Sequence, residues 1–139
     1  MKKIYFVAVF IVVLFSCQHT VKRDDLTKIN GYWEIQKVAF PDGQEKQYTI
    51  NETIDFFEWK DEKGFRKKLK PQFDGTFVVN NEQEQIEIKD SAGVMYIYYT
   101  TKFDAWKEEL NLLSDSILIL KNKDNLTYHY KRFIPFSIK

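Results

Sequence analysis

Residues 84–89 read EQIEIK, residues 94–102 read VMYIYYTTK, and the connection between them, residues 90–93, reads DSAG. Polar and apolar side chains alternate through the first stretch, which is the period of a β-strand with one buried face. The second stretch is rich in the β-branched and aromatic residues that favour strands. Because the connection is too short to hold a helix, the two stretches are predicted to form an antiparallel hairpin.

The same pattern of short strand and short turn continues through the chain from residue 31. Pro41-Asp42-Gly43 and Asp74-Gly75 are typical of tight turns, in which Pro restricts φ and Gly adopts a positive φ. The predicted strands are Gly31–Phe40, Thr53–Lys60, Phe65–Leu69, Thr76–Asn80, Gln83–Lys89, Val94–Lys102, Leu110–Ser114, Ile117–Lys121 and Leu126–Phe133.

Such short connections favour sequential antiparallel pairing, so the fold class is predicted to be all-β, an up-and-down arrangement of eight or nine strands. Closure into a barrel would remove the exposed edges that make long open sheets aggregate. A β-sandwich of the same strands is the alternative. One short segment, Asp104–Leu110 (DAWKEEL), is predicted to be a helix of one or two turns because of its Ala, Glu and Leu content.

The N-terminus has the pattern of an export signal. Met1-Lys2-Lys3 is followed by Ile4–Phe15, an uncharged run that is long enough for a signal peptide and too short for a membrane-spanning helix, which needs about 20 residues. The run ends at Ser16-Cys17, and Leu14–Cys17 resembles the lipobox of bacterial lipoproteins. That resemblance implies cleavage before Cys17 and acylation of its thiol; an uncleaved anchor with Cys17 as an ordinary buried thiol is the alternative.

These signals divide the chain into three parts. Residues 1–16 are predicted to be a lipoprotein signal peptide, residues 17–29 the lipidated Cys17 and a flexible polar tether, and residues 30–139 the barrel domain. Gln18 follows the cysteine, and under enteric-type sorting rules the lack of Asp there implies the outer membrane.

A family resemblance begins at Asn30-Gly31-Tyr32-Trp33. A Gly-x-Trp at the first strand, a meander of strands and a basic residue in the last strand, Tyr128–Phe133, together resemble the lipocalin pattern. The likeness to small lipocalin-like lipoproteins of Gram-negative bacteria covers residues 30–134. In lipocalins the Trp lies across the closed end of the barrel beneath the Arg, and the resemblance assigns this structural pair to Trp33 and Arg132.

Composition excludes several classes of function. The formal net charge is +1, and no basic stripe is long enough to indicate nucleic-acid binding. The basic run Arg66–Lys70 is predicted to be the solvated side of a strand or hairpin, with a phospholipid or polyanion site as the alternative. Glu108 and Glu109 face apart and are predicted to lie in solvent.

Catalytic and metal-binding patterns are also missing from the sequence. The chain has two histidines, His19 and His129, and one cysteine. It contains no Gly-x-Ser-x-Gly elbow, no phosphate-binding glycine loop and no cluster of His and Cys. If Arg132 points inward, the alternation of the last strand points His129 outward. The protein is therefore predicted not to be an enzyme and to need no cofactor and no metal.

Aromatic residues supply the candidate binding site. A barrel cavity is largely apolar with a few hydroxyl groups that orient the ligand, and the candidate lining residues are Phe57, Trp59, Phe77, Tyr96, Tyr98 and Tyr128. The alternative is that these side chains fill the barrel, since eight strands leave room for one small ligand at most.

Two tripeptides, Asp90-Ser91-Ala92 and Asp115-Ser116-Ile117, resemble a short acceptor pattern that some Gram-negative bacteria use for O-glycosylation of exported proteins. Both fall in predicted turns, so Ser91 and Ser116 are candidate O-glycosylation sites.

The sequence thus predicts a lipid-anchored protein of the bacterial cell envelope, at the outer membrane, with a lipocalin-like barrel that binds a small hydrophobic ligand. The alternative function is an interaction module with a filled barrel that docks on another envelope protein. The expected partners are the membrane, through Cys17, and either the ligand or that protein.

Overall fold

The computed structural model describes residues 20–135. The predicted signal peptide and Cys17 lie outside the described residues. The described part of the chain forms one 3-10 helix, Arg23–Ile29, and ten strands: β1 Gly31–Ala39, β2 Glu45–Gln47, β3 Ile54–Lys60, β4 Lys63–Pro71, β5 Phe77–Val79, β6 Glu84–Ser91, β7 Val94–Thr100, β8 Ala105–Leu113, β9 Ile117–Lys121 and β10 Thr127–Arg132.

Eight of these strands close into an antiparallel barrel in the order β1-β3-β4-β6-β7-β8-β9-β10. The barrel is closed by pairing of β1 with β10, which runs from Trp33 opposite Arg132 to Ala39 opposite Thr127. The two short strands lie outside this circuit, β2 beside the end of β1 and β5 beside the end of β4. The prediction of an all-β, up-and-down barrel is confirmed.

The β6–β7 hairpin forms where the alternating sequence predicts it. Ser91 pairs with Val94, and the two residues between them, Ala92 and Gly93, have φ of 52° and 84°. Two positive φ values in a two-residue loop are those of a turn whose twist matches the twist of the flanking strands.

One end of the barrel is closed by the 3-10 helix, which contacts β3 and β8. Leu26 and Ile29 are buried in the barrel core together with Val21. The prediction of a flexible tether through residue 29 is therefore wrong from Val21 onward. Leu26 and Ile29 are three residues apart, so they fall on the same side of a 3-10 helix and cover the barrel end together.

The predicted helix at Asp104–Leu110 is also wrong, because this segment belongs to β8. Its Trp106 pairs with Tyr99 of β7, and the two rings stack with their centroids 5.3 Å apart. Helix propensity is a weak preference of a few tenths of a kcal/mol per residue, and strand pairing across a closing barrel overrides it.

Candidate functional site

Trp33 and Arg132 meet at the closed end of the barrel. The guanidinium carbon of Arg132 lies 3.8 Å from the centre of the Trp33 ring. Arg132 donates hydrogen bonds to the backbone carbonyls of Lys28 at 2.6 Å, Asn30 at 2.7 Å and Asp115 at 2.9 Å. The indole N–H of Trp33 donates to the carbonyl of Ile29 at 2.8 Å. This pair therefore ties the 3-10 helix, β1 and β10 together, as the sequence resemblance implies.

A cavity of about 310 Å³ opens at the opposite end, where β1 ends and β3 begins. We call it the mouth cavity. Residues from β1, β3, β4 and β10 line it, and loop 48–53 covers one side. Four of its lining residues are large and aromatic, Trp33, Tyr48, Tyr128 and Tyr130, and three are charged, Glu52, Asp55 and Lys68.

Of the six predicted lining residues, only Tyr128 borders the mouth cavity. Its hydroxyl accepts a hydrogen bond from the Asn122 amide at 3.2 Å. Burial raises the pKa of Tyr128, and the nearby carboxylate of Glu108 adds to the effect.

Phe57 and Trp59 point into the barrel but not into this cavity. Phe57 is fully buried in the core. Trp59 packs against the core near the closed end, where its backbone N–H donates to Asn30 Oδ1 at 2.6 Å. Both residues fill space that the prediction assigned to a ligand.

Tyr96 and Tyr98 lie on the outer face of the barrel, so their predicted place in the lining is wrong. They alternate along β7 with the buried residues Met95, Ile97 and Tyr99. The Lys107 ammonium lies 4.5 Å from the centre of the Tyr96 ring and 5.9 Å from that of Tyr98. The alternation of β7 correctly separates the face of Tyr96 and Tyr98 from the face of Tyr99, and barrel closure turns the Tyr99 face inward.

Phe77 is likewise not inside the barrel, which corrects its predicted role. It belongs to β5, outside the barrel circuit, and stacks on Tyr32 with ring centroids 4.9 Å apart. Tyr32 precedes the inward-facing Trp33, so the two stacked rings lie on the outer surface.

Inside the barrel, a group of charged side chains was missed by the sequence reasoning. Arg66 of β4 donates two hydrogen bonds to the Glu84 carboxylate, at 3.1 and 3.2 Å. A Glu108 oxygen lies 3.7 Å from Arg66, and the guanidinium carbon lies 4.4 Å from the centre of the Tyr99 ring. The predictions of a solvated basic run and of a solvated Glu108 are wrong for these residues.

The burial of this group shifts its pKa values. Burial raises the pKa of Glu108, and the attraction of the Arg66 guanidinium offsets only part of the rise. Burial alone would lower the pKa of Arg66, but Tyr99 and Glu84 favour its charged form more strongly and the pKa is raised. Alternation places Arg66 and Lys68 on one face of the strand and Phe65 and Leu69 on the other, but it does not indicate that the Arg66 face is the inner one.

Asp55 and Lys68 form a second ion pair, on the wall of the mouth cavity. The Lys68 ammonium lies 2.5 Å from Asp55 Oδ1. The Asp55 side chain is 4% exposed and the Lys68 side chain 53% exposed. The acid is thus held inside the barrel, while its partner reaches it from the rim.

The remaining candidates lie on the surface. His129 alternates with the inward-facing Tyr128 and Tyr130, and its pKa is lowered by partial burial and by Lys37. Ser91 and Ser116 are exposed in the hairpins at the closed end, β6–β7 and β8–β9. Their glycosylation stays a prediction.

Within residues 20–135, no group of three or more His, Cys, Asp or Glu side chains is arranged to hold a metal ion. No helix within the same residues is both long and apolar enough to cross a membrane.

Three solved structures are similar to this barrel. A lipocalin-like protein from Bacteroides uniformis ATCC 8492 has a TM-score of 0.48 and 12% identity over 76% of this chain and 99% of its own. An uncharacterized protein from Bacteroides eggerthii DSM 20697 has a TM-score of 0.47 and 11% identity, covering 75% and 98%. Apocrustacyanin C2 has a TM-score of 0.47 and 9% identity, covering 84% and 67%. No family model and no curated protein sequence matches the chain.

Proposed function

We propose that this protein is a lipid-anchored binding protein of the cell envelope that holds a small, largely apolar molecule in the mouth cavity. The observation that carries the proposal is the cavity of about 310 Å³ at the open end of the barrel. Ligand sites range from about 300 to 1,000 Å³ and combine apolar walls with a few convergent polar groups. Trp33, Tyr128 and Tyr130 supply the walls, and Asp55 and Lys68 supply the polar groups.

The membrane attachment rests on the sequence of residues 1–17. An apolar run too short to span a bilayer, followed by Ser16-Cys17, supports export and acylation of Cys17. Two acyl chains hold a protein at a membrane far more firmly than one. Gln18 supports the outer membrane as the destination.

The packing of Val21 indicates which end of the barrel would face the membrane. Val21 is buried at the closed end of the barrel, so only residues 17–20 link the lipid to the folded domain. Four residues span at most about 14 Å when fully extended. The closed end would therefore lie near the bilayer, and the mouth cavity would open away from it.

Native mass spectrometry of the full chain, purified from its own host, tests the binding function. We expect an excess mass that disappears on denaturation and that a solvent extract recovers. A chain purified with no such mass, and with none gained after incubation with a host lipid and metabolite extract, would contradict the proposal.

Docking on another envelope protein is a second candidate, and the exposed loop tips favour it. Ile50 is 88% exposed and Phe103 is 91% exposed, and both lie in loops at the open end. Replacing Phe103, which does not border the mouth cavity, with Ser should weaken capture of a protein partner if this candidate is correct, while leaving an excess ligand mass unchanged. Phe40→Ser, at a less exposed tip of the same rim, provides a comparison.

A further inference from the structure

Asp55 is a buried acid whose counterion is replaceable. Its carboxylate lines the mouth cavity and is almost fully buried, whereas the Lys68 side chain that neutralises it is half exposed. A buried carboxylate requires a positive partner, because a buried charge without a counterion is strongly destabilising. Because the Lys68 side chain is half exposed, another cation can take its place beside Asp55.

Lys68 also has space to move away from Asp55. A second cavity at the open end, of about 560 Å³, borders Lys68 together with residues 80–84 and 101–103. Glu82 and Glu84 are among those residues. An ammonium that left Asp55 would therefore enter a solvent-accessible space that already contains two acids.

The interior of the barrel carries more acids than bases. Three carboxyl groups, those of Asp55, Glu84 and Glu108, face two basic side chains, Arg66 and Lys68. Arg66 is held between Glu84 and Glu108 and is not available to a ligand. The field at the mouth cavity thus favours a positive charge over a negative one.

We propose that the ligand of the mouth cavity carries a protonated amine, which takes the place of the Lys68 ammonium on Asp55. This inference rests on the proposed function and names the chemical class of its ligand. The aromatic walls are suited to the same group, since Trp and Tyr faces attract cations within about 6 Å. Tyr48, Tyr128 and Tyr130 border the cavity together with Asp55.

An anionic ligand fits the same site poorly. A carboxylate that bound Lys68 would remove the counterion of Asp55 and leave that acid buried and unpaired. An amine that binds Asp55 instead releases Lys68, whose side chain is already 53% exposed, to water. The asymmetry in burial between the two partners therefore decides the sign of the ligand's charge.

Three indoles that differ only in the group at the end of the side chain test this inference. The full chain is titrated at pH 7 by calorimetry with tryptamine, 3-ethylindole and indole-3-propionate. We expect tryptamine to bind about tenfold or more tightly than 3-ethylindole, the factor that a hydrogen bond to a charged group supports. Indole-3-propionate should bind more weakly than either.

Two variants and a control sharpen the test. Asp55→Asn should raise the Kd of tryptamine to that of 3-ethylindole and leave the latter unchanged, while Lys68→Gln, which removes the internal competitor, should lower the Kd of tryptamine. Asp61→Asn, the same change at an exposed turn of the closed end, should alter neither.

Equal or tighter binding of 3-ethylindole or indole-3-propionate would overturn the amine inference and leave the binding function intact. Retention of the tryptamine preference in Asp55→Asn, or weaker tryptamine binding in Lys68→Gln, would overturn it as well. If none of the three indoles binds at millimolar concentration, the amine inference falls together with the support for a binding site in this cavity.

Discussion

Arg132 covers the ring of Trp33 at a distance of 3.8 Å and donates three hydrogen bonds to backbone carbonyls around it. A guanidinium over an indole face contributes about 0.5 to 2 kcal/mol, with more when the pair is desolvated. The carbonyls it binds belong to the segment before β1 and to the β8–β9 turn. One side chain of the last strand therefore holds the first and last parts of the barrel in place.

Trp33→Ala should lower the free energy of unfolding by about 3 to 5 kcal/mol, because it removes a fully buried large side chain at the closed end. Equilibrium denaturation in urea measures the change. Phe103→Ala, at a position that is 91% exposed, should have almost no effect. Equal stability of the two variants would remove Trp33 from the core.

Gly31→Ala should destabilise the protein by about 1 to 3 kcal/mol, since φ is +116° at this position and side chains rarely adopt that conformation. A Cβ here would also approach Arg132 Nη1 to 3.0 Å and disturb its position over Trp33. Gly43→Ala is the matched control, with φ of +88° and no atom within 4 Å of the added Cβ. The loss for Gly31→Ala should be the larger in thermal denaturation, and the reverse order would contradict a role of Gly31 in accommodating Arg132.

Glu108→Gln should change how stability depends on pH. Burial raises the pKa of Glu108 in the folded state above its ordinary value of 4.5. Below pH 4.5 both the folded and unfolded states hold the proton, and Glu108 has no effect on stability. As the pH rises from 4.5 through the raised pKa, the unfolded state releases the proton first, so the folded protein loses stability.

The Glu108→Gln variant has no proton to release and should therefore gain stability relative to the native protein over this interval. Denaturation midpoints between pH 4 and pH 8 measure the difference. Glu109→Gln changes the neighbouring, outward-facing side chain that pairs with Lys121, and should show no such gain. A constant difference between Glu108→Gln and the native protein across the range would contradict the raised pKa.

Cys17→Ala should prevent acylation and leave the chain either free of membranes or uncleaved. Membrane fractionation and the intact mass of the product distinguish these forms from the lipidated one. Recovery of a cleaved, membrane-bound Cys17→Ala product would rule out the lipid anchor.

Ser91→Ala and Ser116→Ala should each lower the intact mass of the protein made in its native host by one glycan in addition to the lost oxygen. Both serines are exposed to solvent, as an acceptor residue must be. A loss of the oxygen alone in both variants would exclude glycosylation at these sites.

The strand-by-strand pattern was accessible from the sequence because local features determine it. Alternation in residues 84–89 and short turns such as Ala92-Gly93 specify antiparallel hairpins wherever they occur. The pairing of Trp33 with Arg132 was predictable because a family resemblance spans the first and last strands. The export pattern of residues 1–17 is a property of linear sequence and stays a prediction, since it lies outside the described residues.

Only the closed barrel decided which face of each strand is inside. Alternation along β4 places Arg66 and Lys68 on one face and Phe65 and Leu69 on the other. Along β7 it places Tyr99 and Tyr98 on opposite faces. In neither strand does it indicate which face lies inside the barrel. Pairing of β4 with β6 and of β6 with β7 brings Arg66 of β4 next to Tyr99 and Glu108 of the later β7–β8 hairpin. The sequence by itself therefore determined most of the strands and their sequential antiparallel pairing, although it missed β2 and the first half of β8. The charged interior and the mouth cavity exist only because β10 closes onto β1.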